Sequence, residues 1–188
     1  MIGLTQVRAE IVVTAIVTGL AVLGAWFDWR ERRLPNWLTL SALVCGVAWH
    51  CGRGWEGCWF GLQGAGLGLA LLLLPYLLGG MKAGDVKFLA ALGAWVGSGG
   101  ILRIFVITVL CYPLLALAPV LRERKLRLTL RRFGRVLCNF LGFFVPGFKL
   151  YALRLEAADQ AEVASVRTPF GVAIAAGTLL ALYTNWLR

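Results

Sequence analysis

The chain alternates long stretches free of Lys, Arg, Asp and Glu with short charged clusters, and that alternation predicts its elements. The charge-free runs cover residues 11–27, 34–52, 57–81, 88–102, 104–121 and 168–187, and the stretches drawn from them as spans are 11–27, 35–52, 57–78, 86–100, 101–121 and 168–187. A bilayer core of about 30 Å takes roughly 20 helical residues, so all but one of these stretches meet or approach the length of a crossing. The stretch 86–100 is short, and its tail Val96-Gly97-Ser98-Gly99-Gly100 reads as a turn. The pattern predicts an all-α, polytopic membrane protein of about six transmembrane helices, built as one membrane-embedded domain over residues 1–188.

Composition agrees. Hydrophobic residues make up 60% of the 188 positions and charged residues 15%, against about 45–50% and about 25% in soluble domains. Five cysteines are too few for a secreted disulfide scaffold. A net charge of +10 suggests a polyanion partner. The charges, however, flank the apolar stretches rather than line a polar domain. The expected partner is therefore the lipid bilayer and not nucleic acid.

Charge placement also sets an orientation. Six crossings with the N-terminus outside put Arg30, Arg32, Arg33, Lys82, Lys87, the basic stretch from Arg122 to Arg135, Lys149, Arg154 and Arg167 on the cytoplasmic side. Arg8, Arg53, Arg103 and Arg188 stay outside, as the positive-inside tendency requires. If 86–100 failed to cross, the basic stretch would face outward, so this short stretch is counted as a crossing. Residues 122–167 then form a cytoplasmic basic loop. Its apolar part, 136–148, contains Pro146-Gly147 and is expected to lie in the membrane interface. No cleavable signal peptide is evident before the first stretch.

Ionisable groups at membrane depth are costly and point to function. Asp28 closes the first stretch and Asp85 opens the fourth. Two crossings separate them, which places both at the same membrane face, the cytoplasmic one. Two neighbouring carboxylates in a low-dielectric setting suit acid–base hydrolysis. One takes a proton from water while the other donates to the carbonyl or the leaving amine. The structural alternative is that Asp85 caps a helix and Asp28 pairs with Arg30 or Arg32.

The flanks decide between these. Around the first aspartate the chain reads Asp28-Trp-Arg-Glu-Arg-Arg-Leu-Pro-Asn-Trp-Leu-Thr39, and around the second Gly80-Met-Lys-Ala-Gly-Asp-Val-Lys-Phe-Leu-Ala-Ala-Leu-Gly93. Thr168-Pro-Phe-Gly-Val-Ala-Ile-Ala175 opens the last stretch. In these three segments and their order the chain resembles the type IV prepilin peptidases of the GxGD membrane aspartic protease class. The short members that serve Flp/Tad-type pili are the nearest in kind.

The resemblance implies a GxGD-protease-like fold, with Asp28 and Asp85 as the catalytic pair activating water. It implies that Gly84 lets the backbone approach the scissile peptide. Leu34, Pro35 and Asn36 would turn the chain back into the membrane, and Lys87 would tune the charge of the pair. Pro169 would mark the entry to the last span. The implied activity is cleavage of the leader of a prepilin or prepilin-like protein, with the pilus or secretion assembly machinery as further partner. No metal and no cofactor are expected.

This chain departs from the family at two places. Lys82 stands where the GxGD pattern has its first glycine, and no Cys-x-x-Cys motif of the larger bifunctional members is present. N-methyltransferase activity is accordingly not expected. Because the leader is basic, Glu31 and Glu123 are candidate leader contacts. His50, the single histidine, reads as structural, and Cys51 and Cys58 bracket an outer loop where a disulfide is open to them in an oxidising compartment. Two rival readings remain at this stage: a small transporter or proton channel using intramembrane carboxylates, and a non-catalytic assembly factor.

Overall fold

The computed structural model describes residues 2–77, 81–123 and 170–184. Its elements are helices: α1 (Ile2–Glu31), α2 (Asn36–Cys51), α3 (Trp55–Leu77), α4 (Ala83–Glu123) and α5 (Phe170–Tyr183). The all-helical expectation is met.

Among the described residues, three stretches are long and apolar enough to cross a membrane: Val7–Glu31, Trp55–Leu77 and Ala83–Tyr112. The expected count of about six crossings is not confirmed by these three. The run 35–52 yields a 16-residue helix, about 24 Å long at 1.5 Å per residue, because its first residue belongs to a turn and its last to the helix end. The run 168–187 yields the 14 residues of α5; Thr168, Pro169 and 185–187 lie outside the described residues. So do residues 124–167, with the expected interfacial segment 136–148.

The runs 86–100 and 101–121 merge into α4, whose 41 residues would extend about 60 Å if straight, twice the bilayer core. They are not straight. Gly97 sits at φ 71°, ψ −179° inside the helix, a left-handed φ that favours a residue without Cβ. Contacts on either side of this break run in opposite directions. Before it, Gly68 faces Leu89 and Ala90, Gly64 faces Gly93, and Phe60 faces Gly97. After it, Gly177 of α5 faces Thr108, and the ring of Phe170 lies 5.0 Å from that of Tyr112. Phe170 adjoins Gly171, which is bonded to Asp28. The chain therefore leaves the aspartate end at Asp85, turns at Gly97 and returns.

Close packing holds this hairpin to α3. A Cβ at Gly64 would overlap the Gly93 carbonyl, and one at Gly68 would lie 2.6 Å from the Leu89 carbonyl. Such contacts require glycine, and small residues are what membrane helices use where backbones touch. The core around them holds Leu72, Phe88, Leu89, Leu92, Trp95 and Ile104.

The end away from the aspartates is closed by α2 and α3. Cys51 and Cys58 are joined in a disulfide across the connecting turn. His50 is buried and its Nε2 donates to the Trp95 carbonyl at 3.0 Å, in the turn of α4 that Gly97 breaks. Helix breaks leave carbonyls without intrahelical partners, and His50 supplies one, in keeping with its structural reading.

Candidate active site

Asp28 occupies the last turn of α1. The helix ends there because Arg32 adopts a left-handed conformation, φ 52°, and returns its N–H to the Asp28 carbonyl at 3.0 Å, a C-terminal closing motif. The chain then passes through buried Leu34 to Pro35, whose extended ψ of 137° makes it the N-cap of α2. Leu38 and Thr39 donate their N–H groups to the Pro35 carbonyl at 3.1 and 3.3 Å. Leu34, Pro35 and Asn36 thus form the expected turn.

Asp85 is the third residue of α4, whose first turn carries it. Its carboxylate accepts a hydrogen bond from the backbone of Lys82, and its own N–H donates to the Lys82 carbonyl at 3.1 Å. This is the reciprocal half of a capping box, with a negative group where the helix N-terminus favours one. The structural alternative for Asp85 holds in this form. The alternative for Asp28 does not. Arg30 and Arg32 stand exposed, and the cation nearest Asp28 among the described residues is Lys82, with Nζ 4.0 Å from Oδ1.

The two aspartates are the centre of the arrangement. Asp28 is 1% and Asp85 4% exposed, and the charge of Asp28 is felt at Asp85. One helical turn deeper, a Cβ at Gly24 would run into the ring of Phe88. Glycine at 24 lets Phe88 seat against α1, and so brings the start of α4 up to Asp28. The α1–α2 turn and the start of α4 are tied at three further points. Lys87 Nζ donates to Asn36 Oδ1 at 3.2 Å, Lys82 Nζ donates to the Arg32 carbonyl at 2.6 Å, and Gly84 lies against Leu34, where a Cβ would sit 3.3 Å from the Leu34 Cβ.

The sequence-derived residues are thereby sorted. Asp28, Asp85, Lys82, Gly84, Leu34, Pro35, Asn36 and Lys87 come together at one end of the helices. Lys87 reaches Asn36 rather than either carboxylate. Glu31 is exposed at the end of α1. Glu123 is the last residue of α4, with its side chain outside what is described, and Pro169 lies outside the described residues altogether.

Sequence reasoning missed two residues. Gly171 donates its N–H to Asp28 Oδ2 at 2.6 Å; a Cβ there would come within 2.8 Å of that oxygen. The signal was present in Pro169-Phe170-Gly171, a helix start at which a backbone N–H faces an anion. Gly24 is the other, and a single glycine inside an apolar helix carries no comparable signal.

The chemistry available is that of two buried carboxylates, one held by a helix N-terminus and a nearby ammonium, the other by the backbone of its own helix start. A curated relative from Xanthomonas campestris pv. campestris, described as a prepilin leader peptidase/N-methyltransferase, is 35% identical over 100 residues, 50% of this chain and 35% of that protein. The chain thus matches about a third of that relative's length. No solved structure matches. The profile of the type IV leader peptidase family matches residues 15–118, which takes in Asp28, the turn behind it, Asp85 and the Gly97 hairpin, and the chain belongs to that family.

Proposed function

We propose that this protein is a membrane-embedded aspartic endopeptidase that removes the leader of a type IV prepilin or prepilin-like protein. One observation carries the reading: Asp28 and Asp85 are buried together at one end of the helices, close enough for one charge to act on the other. Two such groups at a low-dielectric boundary share a proton rather than both ionising. In the hydrolysis, the ionised carboxylate takes a proton from water as the oxygen attacks the scissile carbonyl. The protonated partner donates to the carbonyl oxygen, and the tetrahedral intermediate collapses as the leaving amine receives a proton. Both aspartates lie at helix ends rather than mid-helix, which favours a protease at the membrane surface over a transport path.

The proposed topology is a single multi-pass domain of about six crossings in the inner membrane, with the N-terminus outside and the aspartates at the cytoplasmic face. Two observations support the orientation. Basic residues Arg30, Arg32, Arg33, Lys82 and Lys87 cluster in sequence around the aspartates. The Cys51–Cys58 disulfide occupies the other end of α2, where an oxidising compartment would sustain it. The leader is basic and apolar residues follow it; Glu31 and Glu123 are the proposed acidic contacts. The proposal is confined to peptide hydrolysis, and the N-methyltransferase half of the relative's name is not carried over.

The test is co-expression with a prepilin from the same genome. Asp28→Asn and Asp85→Asn, each accumulating in the membrane at the wild-type level, are expected to leave the leader uncut. Normal processing by either variant overturns the aspartic mechanism.

A further inference from the structure

Lys82 is the residue at which this chain departs from its family's first motif glycine, and it contacts both aspartates. Its main chain supplies the hydrogen bond to the Asp85 carboxylate and accepts the Asp85 N–H at 3.1 Å. Its side chain crosses to the other segment, with Nζ 4.0 Å from Asp28 Oδ1 and 2.6 Å from the Arg32 carbonyl. The main-chain half is open to any residue type. The side-chain half is not, because glycine has no group to send across.

The Arg32 carbonyl is a demanding partner. Arg32 takes a positive φ of 52° while its N–H closes α1 on the Asp28 carbonyl, a conformation that residues with a Cβ rarely adopt. Carbonyls at a helix C-terminus lack intrahelical donors. Lysine side chains commonly supply such a donor from within the helix; here it arrives from another loop. At 2.6 Å the bond is short and charge-assisted. The ammonium therefore holds the turn that fixes where the Asp28 side chain leaves α1, while its own backbone fixes Asp85. A membrane-surface anchor would send its ammonium outward instead; this one, although its side chain is 40% exposed, turns back to the Arg32 carbonyl and Asp28.

We infer that Lys82 is a positioning residue that sets the geometry of the Asp28–Asp85 pair, doing with a side-chain clasp what the family's glycine cannot do. The inference rests on the peptidase reading for its effect on rate, but not for the clasp itself.

The experiment pairs two measurements on the full-length protein in detergent with a synthetic prepilin peptide. One is the split between kcat and KM; the other is amide hydrogen exchange across residues 28–36. Lys82→Met, which keeps the length and loses the charge, is expected to lower kcat about tenfold to a hundredfold with KM little changed. It is also expected to speed exchange in the turn about tenfold or more. Lys82→Gly, which restores the family residue, should do the same, and Lys82→Arg should recover most of both losses.

Unchanged kcat with faster exchange overturns the positioning role. Lower kcat with unchanged exchange overturns the clasp. A wild-type protein that cuts no prepilin, yet shows faster exchange in Lys82→Met, sinks the peptidase reading and leaves the clasp standing.

Discussion

Gly171 presents its backbone N–H to Asp28 Oδ2 across 2.6 Å, with no room for a side chain between them. The bond joins the first turn of α5 to the last turn of α1, two segments 143 residues apart in sequence. It gives a buried carboxylate the partner that burial demands, and it comes from a helix N-terminus, where anions are favoured.

Replacing Gly171 by alanine sets a Cβ 2.8 Å from the carboxylate oxygen and 2.9 Å from the Asp28 Cβ. Either the bond lengthens or the aspartate turns away. The expected result is a loss of leader cleavage of about a hundredfold, the size of effect that ångström-scale misplacement produces. Gly66→Ala is the control, since nothing lies within 4 Å of a Cβ there. Cleavage of a co-expressed prepilin, quantified against the amount of protein in the membrane, distinguishes them. Equal activity in the two variants removes Gly171 from the site.

Much of this site is legible in the sequence because the chemistry is concentrated in short motifs. Asp28 with Leu34-Pro35-Asn36, and Gly84-Asp85 with Lys87, carry their spacing in the chain. Their meeting follows from two helices, α2 and α3, carrying the chain away from Asp28 and back. Gly64 and Gly68, with Gly61 and Gly66, read as close-packing positions of α3, but neither their partner nor the role of Gly24 is legible. Both depend on what lies opposite, a fact of tertiary packing and not of local pattern. The turn at Gly97 lay between these cases: the glycine cluster marked it, but only opposed contacts on its two sides show that the chain reverses.

The α3–α4 glycine seam makes a stability prediction. A methyl at Gly64 would overlap the Gly93 carbonyl, so Gly64→Ala forces the two helices apart along the contact that also includes Gly68 and Leu89. Overpacking of this kind costs about 1–3 kcal/mol. Thermal unfolding in detergent, followed by loss of monodisperse protein, should show a Tm several degrees below wild type, with Gly66→Ala unchanged. A wild-type Tm for Gly64→Ala would mean that α3 and α4 do not touch there.

His50 carries a related prediction at the opposite end. Its Nε2 hydrogen bond to the Trp95 carbonyl, 3.0 Å, lies in a buried setting, and Trp95 in turn donates Nε1 to the Ala42 carbonyl at 2.8 Å. His50→Ala strands a buried carbonyl beside the Gly97 break, at a cost of about 1–3 kcal/mol. His50→Gln, which keeps a donor of similar reach, should recover part of that. Equal melting of wild type and His50→Ala would show that the Trp95 carbonyl is satisfied without the imidazole.

The disulfide and the aspartates together make a topological prediction. Cys51 ends α2 and Asn36 begins it, so the Cys51–Cys58 bond lies about 24 Å from the aspartate end, measured along the helix. Loops of this size, closed by a separation of 7 residues, stabilise by about 2 kcal/mol in the chain-entropy account. Removing both cysteines should therefore lower thermal stability and leave cleavage intact. The same pair reports orientation in a background where Cys45, Cys111 and Cys138 are replaced by serine. In intact cells treated with an impermeant reductant, an impermeant maleimide should label Cys51 and Cys58. In a further variant that also lacks Cys51 and Cys58, the cysteine of Glu31→Cys, at the Asp28 end of α1, should react only after the cells are opened. The reverse labelling would put the aspartates outside, away from the compartment in which a prepilin is synthesised.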